Sequence, residues 1–375
     1  MERFGFVGLP NAGKSSLFNA LAGGGALAAP YAFATTDPNV GVVKVPDHRL
    51  EALAEMSGSE KIVNSTTEFV DIGGLVEGAS QGEGLGNKFL AGIREVDALV
   101  LVLRTFGDAD VPGPTDPLEH LRVVEIELTL ADLESVESRI DRRRKALRAD
   151  PRDHGLVAEV DALESALQLL SDGTPLYRAD LSQDRRAALQ EHFLLTNKPV
   201  MAVLNIGEDQ LAGASELASE LGAALPGCEV LPLSVQLEAE AAMLPEEERA
   251  ELLEGLGLGE GALPVFVRAA HDLLGLRTFL TTGEKESRAW TFKHGWKAPQ
   301  CAGRIHTDFE RGFIRAEVIA HNDLLALGSW VAAREAGQLR LEGKDYEMKD
   351  GDVVDCLLYT SPSPRDQRGS RVAGC

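Results

Sequence analysis

The sequence predicts a doubly wound α/β domain in residues 1–240. Six short apolar runs alternate there with segments of helical pattern. Several of these runs are rich in Val and Leu at successive positions, as in parallel strands that helices cover on both faces. We predict strands at Arg3–Val7, Gly41–Val45, Glu68–Val70, Ala98–Leu103, Val200–Leu204 and Val230–Leu233.

Length and composition narrow the class of protein further. A chain of 375 residues is too long for one ordinary core, so we expect two or three domains. The formal net charge of −22 argues against general affinity for nucleic acids, although it leaves room for a local basic face. No apolar run is long enough to span a bilayer, and no signal-peptide pattern begins the chain. The four cysteines are widely spaced without a CxxC pair, which argues against a zinc site or a disulfide framework and favours a cytoplasmic location.

A long helical segment interrupts the α/β pattern between the strands at Ala98–Leu103 and Val200–Leu204. Apolar residues at spacings of four and three indicate a helix–helix seam, and they are Leu156, Val160, Leu163, Leu167 and Leu170. We predict an antiparallel helical arm with its turn at residues 150–153 and a basic cluster at 139–148 near the tip. Helix packing is the interpretation we favour for the seam, and a partner-binding arm is the alternative.

A different pattern begins near Leu276, where glycines separate short β-like runs such as Arg288–Phe292 and Gly312–Val318. Seven basic residues against three acidic ones lie between positions 285 and 315, interleaved with aromatic residues. Such a mixture on a β surface suits RNA contact. The alternative is that the aromatic side chains form the core and the charges are solvated. Residues 359–375 are rich in Pro and Ser, and we expect them to be disordered.

The segment Gly8–Ser15 matches the phosphate-binding pattern GxxxxGK[ST]. It follows a predicted strand and precedes a helical pattern, as the motif requires. Its glycines let backbone N–H groups turn toward phosphates, and the helix N-terminus favours negative charge. We expect Lys14 to bridge the β- and γ-phosphates and the Ser15 hydroxyl to ligate Mg²⁺.

Two further segments fit a switch that responds to a γ-phosphate. Asp71 begins a DxxG pattern at a strand end, where its carboxylate can hold Mg²⁺ through water and Gly74 can donate its N–H to the γ-phosphate. The glycine-rich residues 75–87 suit a mobile loop. A threonine from an earlier loop should complete the Mg²⁺ site, and the residues alone leave Thr35 and Thr36 as alternatives.

The base site departs from the pattern of GTP-specific proteins. These read guanine with NKxD, whereas this chain has Asn205-Ile206-Gly207-Glu208. The lysine is absent and the acid is longer by one methylene. We therefore expect guanine selectivity to be lost.

These motifs together resemble the Obg-like ATPase (YchF) family. The similarity rests on the phosphate loop, residues 33–38 and 71–80, Asn205–Glu208 and Gly303–Arg315, and it extends from Met1 to about Asp355. It implies a Ras-like P-loop G domain at 1–275 with a helical insertion at about 120–195. It also implies a small β-grasp-like TGS domain at 276–358.

The resemblance implies a cytoplasmic, ribosome-associated ATPase that slowly hydrolyses ATP as a regulatory switch. We expect ATP to bind at least as well as GTP, with Mg²⁺ as cofactor. The ribosomal contact would involve the large subunit through the TGS domain, the arm or both, without membrane or DNA partners. A GTP-preferring ribosome-associated GTPase, and a ribosome-binding module with a structural nucleotide, are the alternatives.

Residue roles follow from the same resemblance. Ser15 and Thr35 would ligate Mg²⁺, and Lys14, Asp71 and Gly74 would act in catalysis. The nucleotide would contact Asn11, Ala12, Gly13, Lys14, Ser15, Ser16, Asn205, Ile206 and Glu208, with Ser234 and Val235 as a supporting loop.

Four positions modify this expectation. Leu75 stands where many small GTPases orient water with glutamine, so hydrolysis should be slow. Asn11 occupies the position from which related GTPases coordinate K⁺. The family's usual histidine is missing from the loop at residues 106–117, and we expect His120 to be a solvated helix residue. From Cys356 onward the family pattern is lost, which suggests a non-native tail.

Overall fold

The structure is a computed structural model that describes residues 1–23, 40–73, 85–107 and 113–358. Its strands are β1 (Arg3–Val7), β2 (Val40–Lys44), β3 (Ile62–Val63), β4 (Thr66–Asp71), β5 (Ala98–Arg104), β6 (Val200–Asn205), β7 (Val230–Leu233), β8 (Leu276–Thr281), β9 (Ser287–Lys293), β10 (Phe313–Ala320), β11 (Arg340–Glu342) and β12 (Asp352–Leu358).

The helices of the described residues follow the same chain order. They are α1 (Lys14–Gly23), α2 (His48–Ser57), α3 (Leu85–Glu95), α4 (Pro117–Ala149), α5 (His154–Ser171), α6 (Gln183–Ala188), α7 (Ala214–Ala224), α8 (Val235–Ala242), α9 (Glu246–Gly255), α10 (Ala262–Leu273), α11 (Ala298–Ile305), α12 (Thr307–Gly312), α13 (His321–Leu327) and α14 (Trp330–Glu335).

The first compact unit, residues 1–45 and 66–274, is built on a six-stranded sheet in the order β2-β4-β1-β5-β6-β7. β2 pairs antiparallel with β4, and every other neighbouring pair is parallel. Every residue of β5 and β6 is buried, because two apolar clusters cover the two faces of the sheet. The predicted doubly wound α/β domain is therefore present.

The predicted helical arm is formed by α4 and α5. α4 begins at Pro117 behind the capping residue Asp116, whose side chain accepts from the Leu118 N–H. The first half of α4 packs on the sheet, and Val136 and Ile140 in its second half pack with α5. Ion pairs from α4 to α5 engage part of the basic cluster, since Arg143 contacts Glu159 and Arg144 contacts Glu164. The seam thus packs the two helices against each other.

The second compact unit contains residues 46–65 and the chain from 275 onward. Its mixed sheet has the order β11-β10-β12-β8-β9-β3. The predicted first domain, residues 1–275, includes residues 46–65, and the structure differs on this point. They belong to the second unit because Leu50 and Leu53 of α2 join an apolar cluster with Leu280, and because β3 pairs with β9.

The aromatic residues between 285 and 315 contribute to the core of the second unit. Phe292 and Phe313 are buried, and Trp290, Trp296 and Phe309 pack against the same cluster. Most basic residues of this segment are exposed. Packing in this core thus accounts for the aromatic residues of the predicted RNA-binding pattern. The exposed basic residues are the part that remains for contact with RNA.

No helix in the described part of the chain is long and apolar enough to cross a membrane.

Candidate nucleotide-binding site

The loop between β1 and α1 approaches neighbouring residues too closely for side chains at Gly8 and Gly13. Gly13 has a φ of +100°, and a Cβ there would lie 2.3 Å from Asn205 Nδ2. A Cβ at Gly8 would lie 2.4 Å from the Val102 carbonyl oxygen. Asn11 also adopts the left-handed conformation, with φ of 63°, which asparagine tolerates better than most residues. These close contacts explain why the phosphate-binding motif has glycine at positions 8 and 13.

Lys14 points its charge into this loop. The side chain is buried, and its Nζ donates to the Leu9 carbonyl oxygen at 2.8 Å. Burial lowers the pKa of Lys14 to about 8, and the nearby Asp71 carboxylate opposes this effect. Burying the Lys14 ammonium is costly, and the neutral Leu9 carbonyl compensates for its charge only in part. An anionic ligand would compensate better, so Lys14 is well placed to bind one.

Ser15 and Asp71 bring two oxygen ligands together beside Lys14. Because β1 and β4 are parallel neighbours, the end of β4 lies next to the loop that follows β1. Ser15 Oγ donates to Asp71 Oδ2 at 2.5 Å, and the buried Asp71 Oδ1 has no hydrogen-bond partner within the described residues.

This oxygen pair fits Mg²⁺, which takes one or two protein ligands together with phosphate oxygens and water. Across the described ranges, no group of three or more His, Cys, Asp or Glu side chains could hold a metal by itself. The predicted residues Thr35, Gly74 and Leu75 lie outside the described residues, as does Thr36.

Asn205 connects the phosphate loop to the start of α8. It is buried, its Nδ2 donates to the Ala12 carbonyl at 3.0 Å, and its Oδ1 accepts from the Val235 N–H at 3.2 Å. The Ile206 N–H donates to the Leu233 carbonyl. Asn205 therefore fixes the distance between the loop and α8.

These elements surround a cavity of about 1190 Å³ within the first unit. Nine of the predicted ligand-binding residues line it, which are Asn11, Gly13, Lys14, Ser15, Ser16, Asn205, Ile206, Glu208 and Val235. Two others do not. Ala12 is buried and presents its carbonyl to Asn205, and Ser234 caps α8 by accepting from the Leu237 N–H.

Sequence reasoning missed two walls of this cavity. Phe106 and Gly107 follow β5, and the other wall is formed by Gln236, Ala239 and Glu240 of α8 together with Met243, which caps the end of that helix. The signals were present, because Phe106 comes two residues after the carboxyl end of a strand beside β1. The four positions 236, 239, 240 and 243 have the spacing of a single helix face. Neither signal says which face of α8 borders the cavity.

The expectation that His120 is solvated was wrong. His120 is 1% exposed, and its Nε2 lies 2.7 Å from the Pro114 carbonyl, so Nε2–H is the donor. Burial lowers the pKa of His120. Asp116 and Pro117 start α4 just before this residue, so that His120 shares the buried face of the helix with Leu121.

The loss of the family pattern at Cys356 does not coincide with the end of regular structure. β12 extends through Leu358, and its residues pair with β10 along the whole strand. Residues 359–375, which we predicted to be disordered and non-native, lie outside the described residues.

Comparison with known proteins agrees with this architecture. Residues 3–141 match a family described as 50S ribosome-binding GTPase, and residues 276–358 match the YchF-GTPase C-terminal family, described as a protein of unknown function. "Ribosome-binding ATPase YchF" of Bacillus subtilis is 46% identical over 93% of this chain and 97% of its own length. The protein of the same name from Escherichia coli O157:H7 is 45% identical over 94% and 98%.

A solved structure supports the same conclusion. The Schizosaccharomyces pombe YchF GTPase superposes with a TM-score of 0.85 and 34% identity, covering 95% of this chain and 97% of that one. The fold class predicted from the sequence, including the helical insertion and the small C-terminal domain, is thereby confirmed. The chain belongs to the YchF family.

Proposed function

We propose that this protein binds ATP with Mg²⁺ in the cavity of the first unit, hydrolyses it slowly and acts as a nucleotide-dependent switch on the ribosome. The observation that carries the proposal is that one cavity brings two kinds of residue together. Lys14 and Ser15, whose hydroxyl donates to Asp71, line this cavity, and so do residues Asn205–Glu208, which lack the guanine-reading lysine and aspartate. Relatives that match nearly the whole chain are named ribosome-binding ATPases.

At the phosphate end, Lys14 would exchange the Leu9 carbonyl for β- and γ-phosphate oxygens. Ser15 would ligate Mg²⁺ directly and Asp71 through water, with Thr35 as a further ligand and Gly74 as a donor to the γ-phosphate. When bound, Mg²⁺ neutralises charge that develops on the phosphates. Asn11 would coordinate K⁺ next to it, so replacing K⁺ by Na⁺ should slow turnover, and unchanged turnover would count against that role.

At the base end, the purine would lie between apolar walls and a rim of acidic residues. Phe106, Ile206 and Val235 supply the walls, and Glu208 and Glu240 lie on the rim. The Nδ2 and Oδ1 atoms of Asn205 both form hydrogen bonds within the protein. Its main role would therefore be to position the wall of the pocket, and recognition of the base would be secondary. The pocket accepts adenine without the specific donor–acceptor match that guanine needs.

Slow hydrolysis follows from the side chains around the phosphates. Among the described residues that line the cavity, none is a histidine or an arginine. Leu75 cannot orient water as a glutamine would. His120 is no substitute, because its ring is buried and its Nε2–H is committed to the Pro114 carbonyl. A group outside the described residues, or on the ribosome, would activate the water.

The ribosomal contact would use exposed basic residues of the second unit, the arm or both. Lys293, Arg304, Arg311 and Arg315 are exposed in a chain of strongly negative total charge. Contact with RNA phosphates makes affinity depend steeply on salt. Cosedimentation with separated subunits across a salt series should show large-subunit binding that weakens as salt rises. Equal binding to both subunits would contradict this assignment.

Direct ATP binding tests the site. Lys14→Ala should abolish tight triphosphate binding, and retained nanomolar affinity would refute the assignment. Single-turnover hydrolysis with and without ribosomes separates a switch from a structural nucleotide, because a structural nucleotide would remain intact in both conditions.

A further inference from the structure

Arg104, the last residue of β5, packs against Phe106, which lines the cavity. Its side chain is 1% exposed and is the largest fully buried side chain in the described structure. The guanidinium carbon lies 4.3 Å from the centroid of the Phe106 ring, and Nε donates to the Phe106 carbonyl oxygen at 2.9 Å. One side chain thus fixes both the ring and the backbone of the same neighbour.

Phe106 is placed where a base would lie. It is half-buried, it borders the cavity beside Ile206 and Gly207, and a Cβ added to Gly207 would be 3.4 Å from Phe106 Cβ. The guanidinium covers one face of the ring. Because the ring also borders the cavity, a planar ligand there would stack on the face that the guanidinium leaves uncovered.

The chemistry of this arrangement favours stacking. A guanidinium over an aromatic face interacts with the ring's negative quadrupole and restrains its orientation. A restrained ring loses less freedom when a base stacks on it, so more of the stacking free energy appears as affinity. An aliphatic side chain would fill the space behind Phe106 at a lower cost of burial than an arginine, so packing alone does not explain the residue.

We propose that Arg104 is a positioning residue for the nucleotide base, acting through the Phe106 ring. This proposal rests on the proposed function of the cavity. Arg104 does not itself border the cavity. It should therefore affect affinity for the base and leave affinity for the phosphates unchanged.

The test compares two ligands, MgATP and magnesium tripolyphosphate, which keeps the phosphates and lacks the base. In Arg104→Met, which retains an unbranched side chain without the guanidinium, we expect the Kd for MgATP to rise about tenfold, equivalent to about 1.4 kcal/mol. The Kd for tripolyphosphate should stay within about twofold of the wild-type value. Arg104→Lys keeps a cation but loses the planar group that stacks, and we expect an intermediate loss.

A double-mutant cycle tests the route through Phe106. Phe106→Leu should weaken MgATP binding, and adding Arg104→Met to it should change the Kd by less than about twofold. Additive losses would overturn the proposal, as would equal losses for both ligands, because either result marks Arg104 as a general structural residue. If Arg104→Met fails to fold, the same comparison with Arg104→Lys decides. Wild-type protein that binds tripolyphosphate as tightly as MgATP would instead refute the proposed ATP site.

Discussion

Raising the pH should weaken ATP binding in a way that reports on Lys14. Its pKa is about 8 because the ammonium is buried. Triphosphate oxygens favour the charged form, so a protein with neutral Lys14 must take up a proton when ATP binds. The phosphates are already ionised in this range. We expect a Kd that is constant below pH 8 and rises about tenfold per pH unit above it.

The pKa of Lys14 in the complex decides where this effect ends. If the bound phosphates restore the ordinary value of 10.5 from about 8, the change corresponds to about 3 kcal/mol at about 1.36 kcal/mol per pKa unit. The loss of affinity should then reach at least a few hundredfold before it levels off. Calorimetry in two buffers of different ionisation enthalpy measures the proton uptake, which should rise from near zero at pH 7 toward one proton at pH 9.5.

Controls separate Lys14 from other groups. Arg remains charged at every accessible pH, so Lys14→Arg should bind more weakly and without this pH dependence.

The stability of the folded protein should increase with pH, whereas the affinity for ATP decreases. Between pH 8 and 10.5 the unfolded chain binds more protons at this residue than the folded chain, so wild-type stability should rise with pH relative to Lys14→Met. A wild-type Kd that is flat from pH 8 to 9.5 would refute the reasoning.

The remaining predictions concern single contacts. Asn205→Ala leaves the Ala12 carbonyl and the Val235 N–H without their side-chain partner. The free energy of unfolding measured with urea should therefore fall by about 1–3 kcal/mol. An unchanged urea midpoint would exclude the bridging role of Asn205. Gly8→Ala would place a methyl group against the Val102 carbonyl, so the free energy of unfolding should fall by about 1–3 kcal/mol. The matched control is Gly222→Ala, where the new methyl group has open space, and this change should be neutral or stabilising. Equal effects of the two substitutions would contradict the packing argument. Because burial lowers the pKa of His120, its unfolded form binds more protons below about pH 6.5 and stability should fall there. His120→Gln should reduce this loss in melting curves from pH 7 to 5, and an unchanged loss would assign the effect to other groups.

Local patterns predicted the sheet and the phosphate loop well. Buried parallel strands are continuous apolar runs, so β1 and β7 have the predicted limits and the other predicted strands of the first unit differ by two residues or fewer at each end. The phosphate loop was predictable because Gly8 and Gly13 meet a direct steric requirement. Both features depend on residues that are close in sequence or fixed in spacing.

Features that depend on distant contacts were not predictable in this way. The sequence predicts a solvated His120 because no local pattern indicates that this face of α4 is buried. The sequence predicts that residues 46–65 continue the first domain, yet the partners of Leu50 and Leu53 lie more than 200 residues later in the chain. Phe106 acquires its position from a buried arginine and from the close approach of Gly207, and neither contact leaves a sequence pattern.

Competition between ATP and GTP for the cavity is the most direct test of the proposed function. A fluorescent ATP analogue bound to the wild-type protein with Mg²⁺ would be displaced by each unlabelled nucleotide in turn. We expect ATP to displace it at a concentration equal to or below that of GTP, because Asn205–Glu208 lacks the groups that select guanine. A Kd for GTP at least tenfold lower than that for ATP would contradict this account of the base site and establish a GTP-preferring enzyme.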